Sequence, residues 1–426
     1  MKILVISYES WRDTNNGGNV LSNIFCAFPE ADFAQIYCSG ELPQNFVCRK
    51  YYQISDSMLL RSLKGRRLEE KDYGVEAVDQ SDVIENKIKN SIPGVFRNVS
   101  LLVREMFWRV FDWKTRELED FIKDFKPDII FAPCYSYSHV SMIALYAKRV
   151  AQCPMISYIS DDNYTLKQLE LSFAFLINRL ITRKWIRRLF AECALIYTMT
   201  DMQKREYEAI FGRPMKILCK SASFDEYDKE IGSPIQFIYA GGLYLNRWKM
   251  LSRLADAIEK LNTVEIKAQL HIYSGSNLKL NQRKKLHDGR NSFLHNAISY
   301  GELMEHYRDA DIAVHVESFD LKNRLLTRLS FSTKIIDCMN SGCAILAIGP
   351  NTQAGISYLK ENDAAICINN IKEIDSVINK LMNNVELIKE FSEKARLLGK
   401  KNHMKANIEK QIKHDFYDVY NQHFQL

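Results

Sequence analysis

Short runs rich in β-branched and aromatic residues alternate with longer amphipathic stretches along most of the chain. Residues 3–7, 128–131 and 155–159 are strand candidates in the first half, with helical patterns between them. The second half repeats the alternation, beginning with the strand candidate at residues 235–240 and reaching the one at residues 344–348. Strands that alternate with amphipathic helices predict parallel sheets covered by helices. We therefore predict an α/β fold made of two doubly wound, Rossmann-like domains.

A polar stretch at residues 221–234 separates the two halves. We predict an N-terminal domain over residues 1–225 and a C-terminal domain over residues 226–406, and we expect a last helix, residues 407–426, to pack back on the first domain. The 426 residues, 46% of them apolar, are enough to bury two cores. Residues 51–96 have mixed charge and weak periodicity, and we interpret them as an insertion.

Charge and cysteine content narrow the classes of function. The formal net charge of +6 is mild; it permits contact with phosphates or anionic lipid, and we predict no nucleic-acid partner. Ten cysteines without a Cys-x-x-Cys spacing indicate reduced thiols of a cytoplasmic protein rather than a disulfide or zinc framework. The apolar run at the N-terminus is too short for a signal peptide, and no run approaches the length of a membrane span. Any membrane contact is therefore expected to be peripheral, at the inner face of the plasma membrane.

A strand candidate that ends in two glycines marks the first candidate ligand site. Gly241 and Gly242 follow residues 235–240, and Arg247 and Lys249 come next, before a helix. Backbone N–H groups, a guanidinium and an ammonium group together can cradle a phosphate. A turn with solvated basic residues is the alternative, but doubly wound folds bind ligands at the carboxyl ends of parallel strands. We predict an anion site in this loop.

A second candidate site lies at the start of a helix that we predict over residues 333–340. Ser332 or Thr333 can cap this helix, and the free N–H groups of its first turn form an anion site with Lys334. Asp337 lies one turn after Thr333, where its carboxylate can accept hydrogen bonds from a ribose diol. The alternative is an ordinary capped helix with a charged rim. Combined with the first loop, this pattern favours nucleotide binding.

Gly17 and Gly18 lie in a third glycine loop, between the first strand and the following helix. Small residues let backbone N–H groups approach a ligand, and a helix N-terminus favours an anion. A plain strand-to-helix turn has the same composition, and that alternative stays open. No third glycine completes a G-x-G-x-x-G fingerprint, so NAD binding is disfavoured.

Polar side chains also follow two strand candidates of the first half. Asp161 and Asp162 come after residues 155–159, where paired acids can bind sugar hydroxyls, a metal ion or a proton, or can form a solvated loop. Tyr137 and His139 follow the preceding strand candidate, and a single histidine is more often structural than catalytic. No H-E-x-x-H or H-x-E…C-x-x-C pattern occurs, so we predict neither a metal ion nor an organic cofactor.

Residues 173–191 form a basic amphipathic pattern that carries no acid. Such a helix can rest on anionic lipid, which predicts a peripheral membrane contact through this segment. A core helix with a solvated basic face is the alternative. The cations of the segment are Arg179, Arg183, Lys184, Arg187 and Arg188, and those that could extend the same positive surface are Arg61, Lys64, Arg66 and Arg67.

Three stretches of the second half, in this order, carry a resemblance to a known family. They are Gly-Gly-Leu-Tyr-Leu-Asn-Arg-Trp at 241–248, Tyr-Gly-Glu-Leu-Met with Ala-Asp-Ile-Ala-Val-His-Val-Glu-Ser at 300–318, and Ser-Phe-Ser-Thr-Lys-Ile-Ile-Asp-Cys-Met-Asn-Ser-Gly at 330–342. With this spacing the chain resembles bacterial GT-B glycosyltransferases of the retaining, family-4-like group (glycosyl transferases group 1). The last stretch looks like the version found in enzymes that assemble capsule, O-antigen or exopolysaccharide. The resemblance is strongest over residues 235–370.

The resemblance implies two Rossmann-like domains that face a cleft and transfer a sugar with retention of its anomeric configuration. A nucleotide diphosphate sugar would bind mainly to the second domain, and a saccharide or lipid-linked saccharide acceptor to the first. This chemistry needs fixed cations on the leaving diphosphate rather than a pair of catalytic carboxylates, which separates it from glycoside hydrolysis. A catalytically weak scaffold of a polysaccharide assembly complex and a nucleotide-sugar epimerase are the alternatives.

The resemblance also implies roles for single residues. Arg247 would contact the donor diphosphate, with Lys249 or Lys334 as its partner. Asp337 would hold the ribose, and Asp161 would lie near the transferred sugar. The predicted catalytic residues are Asp161, Arg247 and Lys334; the predicted donor-binding residues are Gly17, Gly18, Gly241, Gly242, Arg247, Lys249, Glu317, Ser332, Thr333, Lys334 and Asp337; the predicted acceptor-binding residues are Tyr137, His139 and Asp162.

The chain departs from the family pattern at two positions. Leu329 stands eight positions before Asp337, where the family has a glutamate, and Ser160 stands where many members have a histidine. The first departure concerns the grip on the sugar hydroxyls, for which Glu317 is the expected substitute. Both departures motivate the scaffold alternative.

Overall fold

The chain divides into two units. Unit 1 comprises Met1–Leu218 together with Ile408–Leu426, and unit 2 comprises Cys219–Asn407. The boundary expected between residues 225 and 226 lies outside the described residues, and the division in the structure falls after residue 218. The structure is a computed structural model that describes residues 1–13, 16–60, 65–68, 94–224 and 229–424.

Unit 1 is built around an eight-stranded sheet. Its strands are β1 (Lys2–Ser7), β2 (Asp32–Tyr37), β3 (Lys50–Gln53), β4 (Arg66–Leu68), β5 (Ile129–Pro133), β6 (Met155–Ile159), β7 (Leu195–Thr198) and β8 (Lys216–Ile217). They lie in the order β4-β3-β2-β1-β5-β6-β7-β8, and all neighbours are parallel except β3 and β4. The direction of winding reverses between β1 and β5, which is the point where doubly wound sheets open a crevice at their carboxyl edge.

Helices cover the sheet of unit 1, so its central strands are buried along almost their whole length. A parallel strand with both faces covered is a continuous apolar run, which explains why these strands were recognisable in the sequence. The helices that precede the last strand are α1 (Asn16–Phe25), α2 (Asp56–Leu60), α3 (Gly94–Val110), α4 (Arg116–Phe125), α5 (Ser138–Ala151), α6 (Phe173–Glu192) and α7 (Asp201–Phe211).

Helix α4 shows how local sequence sets these elements. The Thr115 hydroxyl accepts a hydrogen bond from the backbone N–H of Leu118 and caps the first turn. Leu118 and Phe125 lie on the buried face together with the residues one turn after Leu118, at the spacing of an amphipathic helix. Lys126 ends the helix in a left-handed conformation, and Pro127 prevents it from continuing. The helix is therefore held at both ends and along one face.

Unit 2 contains a six-stranded parallel sheet. Its strands are β9 (Ile235–Ala240), β10 (Ala268–Tyr273), β11 (Ser292–His295), β12 (Ile312–Val316), β13 (Ala344–Ile348) and β14 (Ile366–Ile368). They lie in the order β11-β10-β9-β12-β13-β14, so the winding reverses between β9 and β12. The helices around this sheet are α8 (Arg247–Leu261), α9 (Leu280–Lys284), α10 (Tyr300–Asp309), α11 (Leu321–Leu326), α12 (Lys334–Met339), α13 (Ala354–Glu361), α14 (Ile374–Met382) and α15 (Val385–His403).

The last helix, α16 (Lys405–Phe424), completes unit 1 with its residues from Ile408 onward. The ring of Phe416 packs against those of Phe28 and Phe131, with centroid distances of 5.0 Å and 6.2 Å. The buried carboxylate of Asp415 accepts a hydrogen bond of 2.7 Å from the Tyr197 hydroxyl and pairs with a lysine of β8. These contacts hold the C-terminal helix against segments that come much earlier in the chain.

The interpretation of residues 51–96 as an insertion is wrong for its first part. Strand β3 pairs with β2 through buried Tyr51 and Tyr52, and β4 adds antiparallel to β3. These strands are short, and β4 carries two arginines, so their apolar pattern was too brief to recognise. Residues 69–93 lie outside the described residues, as do Arg61 and Lys64 of the expected positive surface.

Candidate functional site

A pocket opens in unit 2 where β9 and β12 diverge, at the carboxyl edge of the sheet. The space between its lining residues, open solvent included, is about 320 Å³. The last residues of both strands and the first residues of α8 and α12 contribute its walls. The residues that line it are Tyr239, Ala240, Arg247, Tyr307, Val314, His315, Val316, Ser332, Lys334 and Cys338.

The loop after β9 is approached closely by other side chains at both predicted glycines. A Cβ on Gly241 would overlap the Nζ of Lys334, and a Cβ on Gly242 would overlap the ring of Tyr244. The Gly241 N–H donates to the carbonyl of Tyr273 at 3.0 Å, and the Gly242 carbonyl accepts from the Tyr239 hydroxyl at 2.8 Å. The glycine pair therefore lets the amine of Lys334 lie directly against the loop.

Arg247 is the first residue of α8, and its guanidinium turns toward the end of β12. Its Nη2 donates to both carboxylate oxygens of Glu317, at 2.8 Å and 3.1 Å. Burial raises the pKa of Glu317, although the charge of Arg247 works in the opposite direction. The buried Nε of Arg247 has no hydrogen-bond partner among the described residues. This N–H group is thus left unsatisfied while the ion pair is intact.

Lys334, the first residue of α12, is an unpaired cation. Within the described part of the chain it makes neither an ion pair nor a hydrogen bond. Loss of surrounding water and the neighbouring charge of Arg247 lower the pKa of Lys334. Because Glu317 compensates Arg247, the pocket keeps an excess positive charge that comes from Lys334. A pocket with this charge is suited to an anion.

His315 is a pocket residue that the sequence analysis did not single out. It precedes Glu317 by two positions in the extended chain, and its Nε2 lies 3.9 Å from Glu317 Oε1. Burial, together with the charges of Arg247 and Lys334, lowers the pKa of His315 to about 3. The imidazole is therefore neutral, and its buried Nε2 has no partner among the described residues. The two-residue period of a strand was the signal that could have found it.

Asp337 is buried one turn into α12 and already has two partners. Its Oδ1 accepts from Lys220 Nζ at 2.5 Å and from the Tyr300 hydroxyl at 3.2 Å. The ammonium group of Lys220 also lies 5.3 Å from the centroid of the Tyr300 ring. Lys220 and Tyr300 are further residues that the sequence analysis missed as partners of Asp337. Their contacts fix the carboxylate beside the pocket-lining helix.

Three other expectations about unit 2 need correction or refinement. Thr333 occupies the N-cap position, but its backbone is helical and its side chain makes no capping hydrogen bond, whereas Ser332 lines the pocket. Lys249 is exposed beside Trp248 and is not a lining residue, so the structure brings Lys334 rather than Lys249 next to Arg247. Leu329 is fully buried and belongs to the core.

The glycine loop of unit 1 is engaged with its own unit. The Gly17 N–H donates to the carboxylate of Glu9, whose pKa is raised by burial and by the nearby Glu41. A Cβ on Gly18 would overlap the backbone of Arg12. Gly18 is therefore required for close packing of the turn, and the proposed diphosphate contact of this loop stays a prediction.

The strand-end residues of unit 1 divide into buried and accessible ones. His139 is fully buried; its Nδ1 lies 2.9 Å from Glu105 Oε1, and the ring of Trp108 stacks on it at 4.3 Å. Tyr137 is half-buried, and its ring lies 4.3 Å from the guanidinium carbon of Arg104. Because His139 is buried, we do not propose that it contacts an acceptor.

Asp161 and Asp162 face opposite environments although they are neighbours. Asp161 is exposed at the end of β6. Asp162 is buried, and its carboxylate accepts hydrogen bonds from the backbone and hydroxyl of Thr165 and, at 3.1 Å, from the hydroxyl of Tyr207. Asp162 thus stabilises the loop, and we do not propose that it contacts an acceptor.

The basic helix α6 is less free than its sequence indicates. Arg179 bonds Gln168, and Arg183 and Arg187 bond the carbonyl and the hydroxyl of Tyr164. Lys184 and Arg188 are the cations of the helix that remain exposed without a hydrogen bond among the described residues. Across the described ranges, no group of three or more His, Cys, Asp or Glu side chains is arranged to hold a metal ion.

The two doubly wound units define the fold as that of GT-B glycosyltransferases, as the sequence predicted. No protein-family model and no curated protein sequence matches the chain. Among solved structures, sucrose-phosphate synthase from Thermosynechococcus elongatus matches with a TM-score of 0.63 and 11% identity over 99% of each chain. HepE from Anabaena in complex with UDP and glucose matches with a TM-score of 0.61 and 11% identity over 98% of this chain and 100% of that one. A UDP-forming α,α-trehalose-phosphate synthase from Burkholderia vietnamiensis matches with a TM-score of 0.57 at the same identity. At such identities the similarity establishes the fold.

Proposed function

We propose that the chain is a glycosyltransferase that moves a sugar from a nucleoside diphosphate sugar to a saccharide or lipid-linked saccharide acceptor in surface polysaccharide synthesis. The observation that carries the proposal is the unpaired Lys334 beside the Arg247–Glu317 pair, in a pocket at the point where the winding of unit 2 reverses. The solved complexes of HepE with UDP and with UDP-glucose support a nucleotide sugar as the donor class. We assign the donor to unit 2 and, from the family resemblance, the acceptor to unit 1.

The pocket offers several donors to a diphosphate. Lys334 supplies an ammonium group, and Arg247 supplies the N–H groups that Glu317 does not use. The Ser332 hydroxyl lines the same wall, and the backbone of Gly241 lies against Lys334. Charge-assisted hydrogen bonds of this kind are the strong ones in anion recognition. Asp337, held in place by Lys220, is our candidate for the ribose hydroxyls.

The same groups suit the chemical step. In the transfer, the bond from the anomeric carbon to the diphosphate breaks, a bond to the acceptor oxygen forms, and the acceptor proton passes to the departing diphosphate. Negative charge grows on the leaving group, where Lys334 and Arg247 would stabilise it. We propose Glu317 and neutral His315 as acceptors for sugar hydroxyls, and we retain exposed Asp161 as a predicted contact of the sugar. Retention, the family-4 assignment, independence from a metal ion, the absence of a nucleic-acid partner and a cytoplasmic location stay predictions from the sequence.

A catalytically weak scaffold is the second candidate, and the burial of Leu329 favours it. The family places a glutamate at that position, and this chain has a fully buried leucine in the core. A scaffold would keep the nucleotide pocket and lose turnover. A nucleotide-sugar epimerase would be recognised by conversion of the donor without an acceptor.

The test compares two lysines of unit 2. We expect Lys334→Ala to lower donor turnover about 100- to 1,000-fold, the usual cost of losing one contact to a developing negative charge. Lys249→Ala is the matched control, because Lys249 is exposed and outside the pocket, and its turnover should stay within about threefold of wild type. Release of UDP from UDP-glucose, with and without oligosaccharide acceptors, is the measurement.

Each outcome separates the candidates. Equal losses in the two lysine variants contradict the proposed site. A wild-type protein that binds UDP in a calorimetric titration but turns over no nucleotide sugar favours the scaffold. Isomerised donor in the absence of acceptor favours the epimerase.

A further inference from the structure

Helix α3 of unit 1 exposes an apolar stripe along its length. Phe96, Val99, Val103, Met106 and Val110 follow one another at spacings of three and four residues, so they share one face of the helix. All five are exposed, Phe96 by 68% and Val110 by 81%. The stripe therefore faces away from the core although it has the pattern of a helix that packs against something.

The neighbouring helix also exposes apolar side chains. Helix α6 packs against α3, and the start of α6 exposes Phe173 by 76%, with Leu176 and Leu180 exposed on the following turns. Leu171, just before the helix, is 94% exposed. We call the exposed apolar residues of α3 and of residues 171–180 the α3–α6 face. Single exposed apolar residues are ordinary, but a row of them on two packed helices marks an interaction surface.

The charges that border the α3–α6 face are mainly positive, although exposed Asp112 follows α3 and half-buried Glu170 precedes Leu171. On α3 the acid Glu105 is buried, and the exposed charged residues are Arg97 and Arg109. On α6 the exposed row that begins with Leu176 and Leu180 continues into Lys184 and Arg188. An apolar surface bordered by cations is complementary to the acidic headgroups and acyl chains of a bilayer.

We propose that the α3–α6 face docks on an acidic membrane surface, with α3 lying in the interface. Apolar side chains of the stripe would enter the boundary between headgroups and acyl chains, while Arg97, Arg109, Lys184 and Arg188 contact acidic headgroups. No described helix is long and apolar enough to cross a bilayer, so the contact is superficial. This inference stands on unit 1 alone and does not depend on the donor pocket.

A second copy of the chain fits the same face less well. In a two-fold symmetric dimer the same patch meets itself, so an α3–α3 contact would bring the arginines of one helix toward those of the other. The described exposed residues of α3 include no acid that could pair with them. The charge of the face therefore favours acidic lipid.

The experiment measures binding of the full chain to vesicles by co-sedimentation. We expect binding to phosphatidylcholine vesicles that contain about a third phosphatidylglycerol, and at least tenfold weaker binding to pure phosphatidylcholine. The triple variant Val103→Ser/Met106→Ser/Val110→Ser should bind the acidic vesicles at least tenfold more weakly. Its matched control is Val264→Ser/Leu280→Ser, which removes apolar side chains of unit 2 that are 92% and 80% exposed and should leave binding unchanged.

The cations are tested separately from the stripe. Arg97→Gln/Arg109→Gln should weaken binding to the acidic vesicles about 25-fold, since each basic residue near an acidic surface contributes about fivefold. Lys284→Gln/Lys285→Gln, a pair of exposed lysines in unit 2, is the control and should have little effect. Because all substituted positions are exposed, the thermal midpoint of each variant should match the wild type.

Three results would overturn the proposal. One is a wild-type chain that does not bind acidic vesicles at low salt. Another is an equal loss of binding in the unit 2 controls. The third is a concentration-dependent dimer that the triple variant abolishes, which would assign the face to a second copy.

Discussion

The two units both bury ionisable side chains beside the carboxyl ends of their parallel strands, but the units differ in how these charges are paired. In unit 1 the guanidinium of Arg104 lies between two carboxylates, 3.6 Å from Asp56 and 3.8 Å from Glu105. Glu105 also holds His139, and the ring of Trp108 closes over that histidine. The cluster thus places each buried charge beside a partner, and aromatic rings seal it.

In unit 2 one buried charge has no such partner among the described residues. Arg247 pairs with Glu317, Lys334 has no ion-pair partner in the described part of the chain, and the group opens into a pocket. His315 is neutral, so it does not alter the sum. The same architecture thus makes a closed structural network in one unit and an open, positively charged pocket in the other. A position at a strand end is therefore not enough to predict a ligand-binding residue. An uncompensated charge and access to a pocket are also needed.

The largest expected effect comes from breaking the closed cluster. Glu105→Ala leaves Arg104 and His139 without their shared carboxylate, and we expect unit 1 to lose about 3–5 kcal/mol of unfolding free energy. Urea denaturation followed by circular dichroism measures it. The control is Asp124→Ala, which removes an exposed partner of Arg67 and should change stability by less than about 0.5 kcal/mol. Similar losses in the two variants would mean that the cluster is not a stabilising network.

The next prediction concerns how the stability of each unit depends on pH. The pKa of His315 is lowered to about 3, and burial lowers those of His271 and His403 to about 4. An unfolded imidazole takes up a proton near pH 6.5 and these buried ones do not, so acid favours the unfolded form of unit 2. Between pH 6.5 and 5, His315 alone should remove about 2 kcal/mol of unfolding free energy.

In unit 1, His139 and its neighbours lower the pKa of Glu105 against the opposing effect of burial, so the stability from this group is lost only below its ordinary range near 4.5. Hydrogen exchange with mass spectrometry at several pH values reports β1 and β12 separately. His315→Gln should flatten the response of unit 2. A parallel loss of protection in both units between pH 6.5 and 5 would remove this distinction.

The smallest expected effect has the opposite sign. Because Lys334 is charged in surroundings that lower its pKa, Lys334→Met should leave the thermal midpoint unchanged or slightly raised. The same substitution should abolish the protection that UDP gives the wild type, which is about 2.7 kcal/mol at 100 times the dissociation constant. Lys249→Met serves as the control and should keep that protection. A midpoint several degrees lower in Lys334→Met would show that Lys334 has a structural role instead.

The sequence was sufficient for those parts of the site that depend on strand ends. Gly241 and Lys334 were both predicted to bind the donor, and they lie together because the carboxyl ends of parallel strands share one edge of a sheet. The sequence alone could not decide whether Lys249 or Lys334 lies next to Arg247, because the direction of a side chain at a helix start depends on the preceding loop. Here Asn246 adopts a left-handed conformation and bonds Asp320, and this turn sets the first residues of α8.

Contacts between distant segments were harder to predict. The Arg247–Glu317 pair joins residues 70 positions apart, and Glu317 was suspected only as a substitute for a missing glutamate. His139 was predicted as a site residue because the side chains that enclose it could not be foreseen. Glu105 and Trp108 both come from α3, a helix for which no prediction was made. A histidine can be judged only when the groups packed on both of its ring nitrogens are known.

The packing of α16 has a consequence for synthesis of the chain. Phe28 and Phe131 gain their cover from Phe416, and Tyr197 gains its acceptor from Asp415, only after every residue of unit 2 has been made. Domains usually fold in the order in which the ribosome releases them. In this protein the first domain to emerge must wait for the last helix, so interrupted translation would yield an N-terminal fragment with an open aromatic core, a natural substrate for chaperones and proteases.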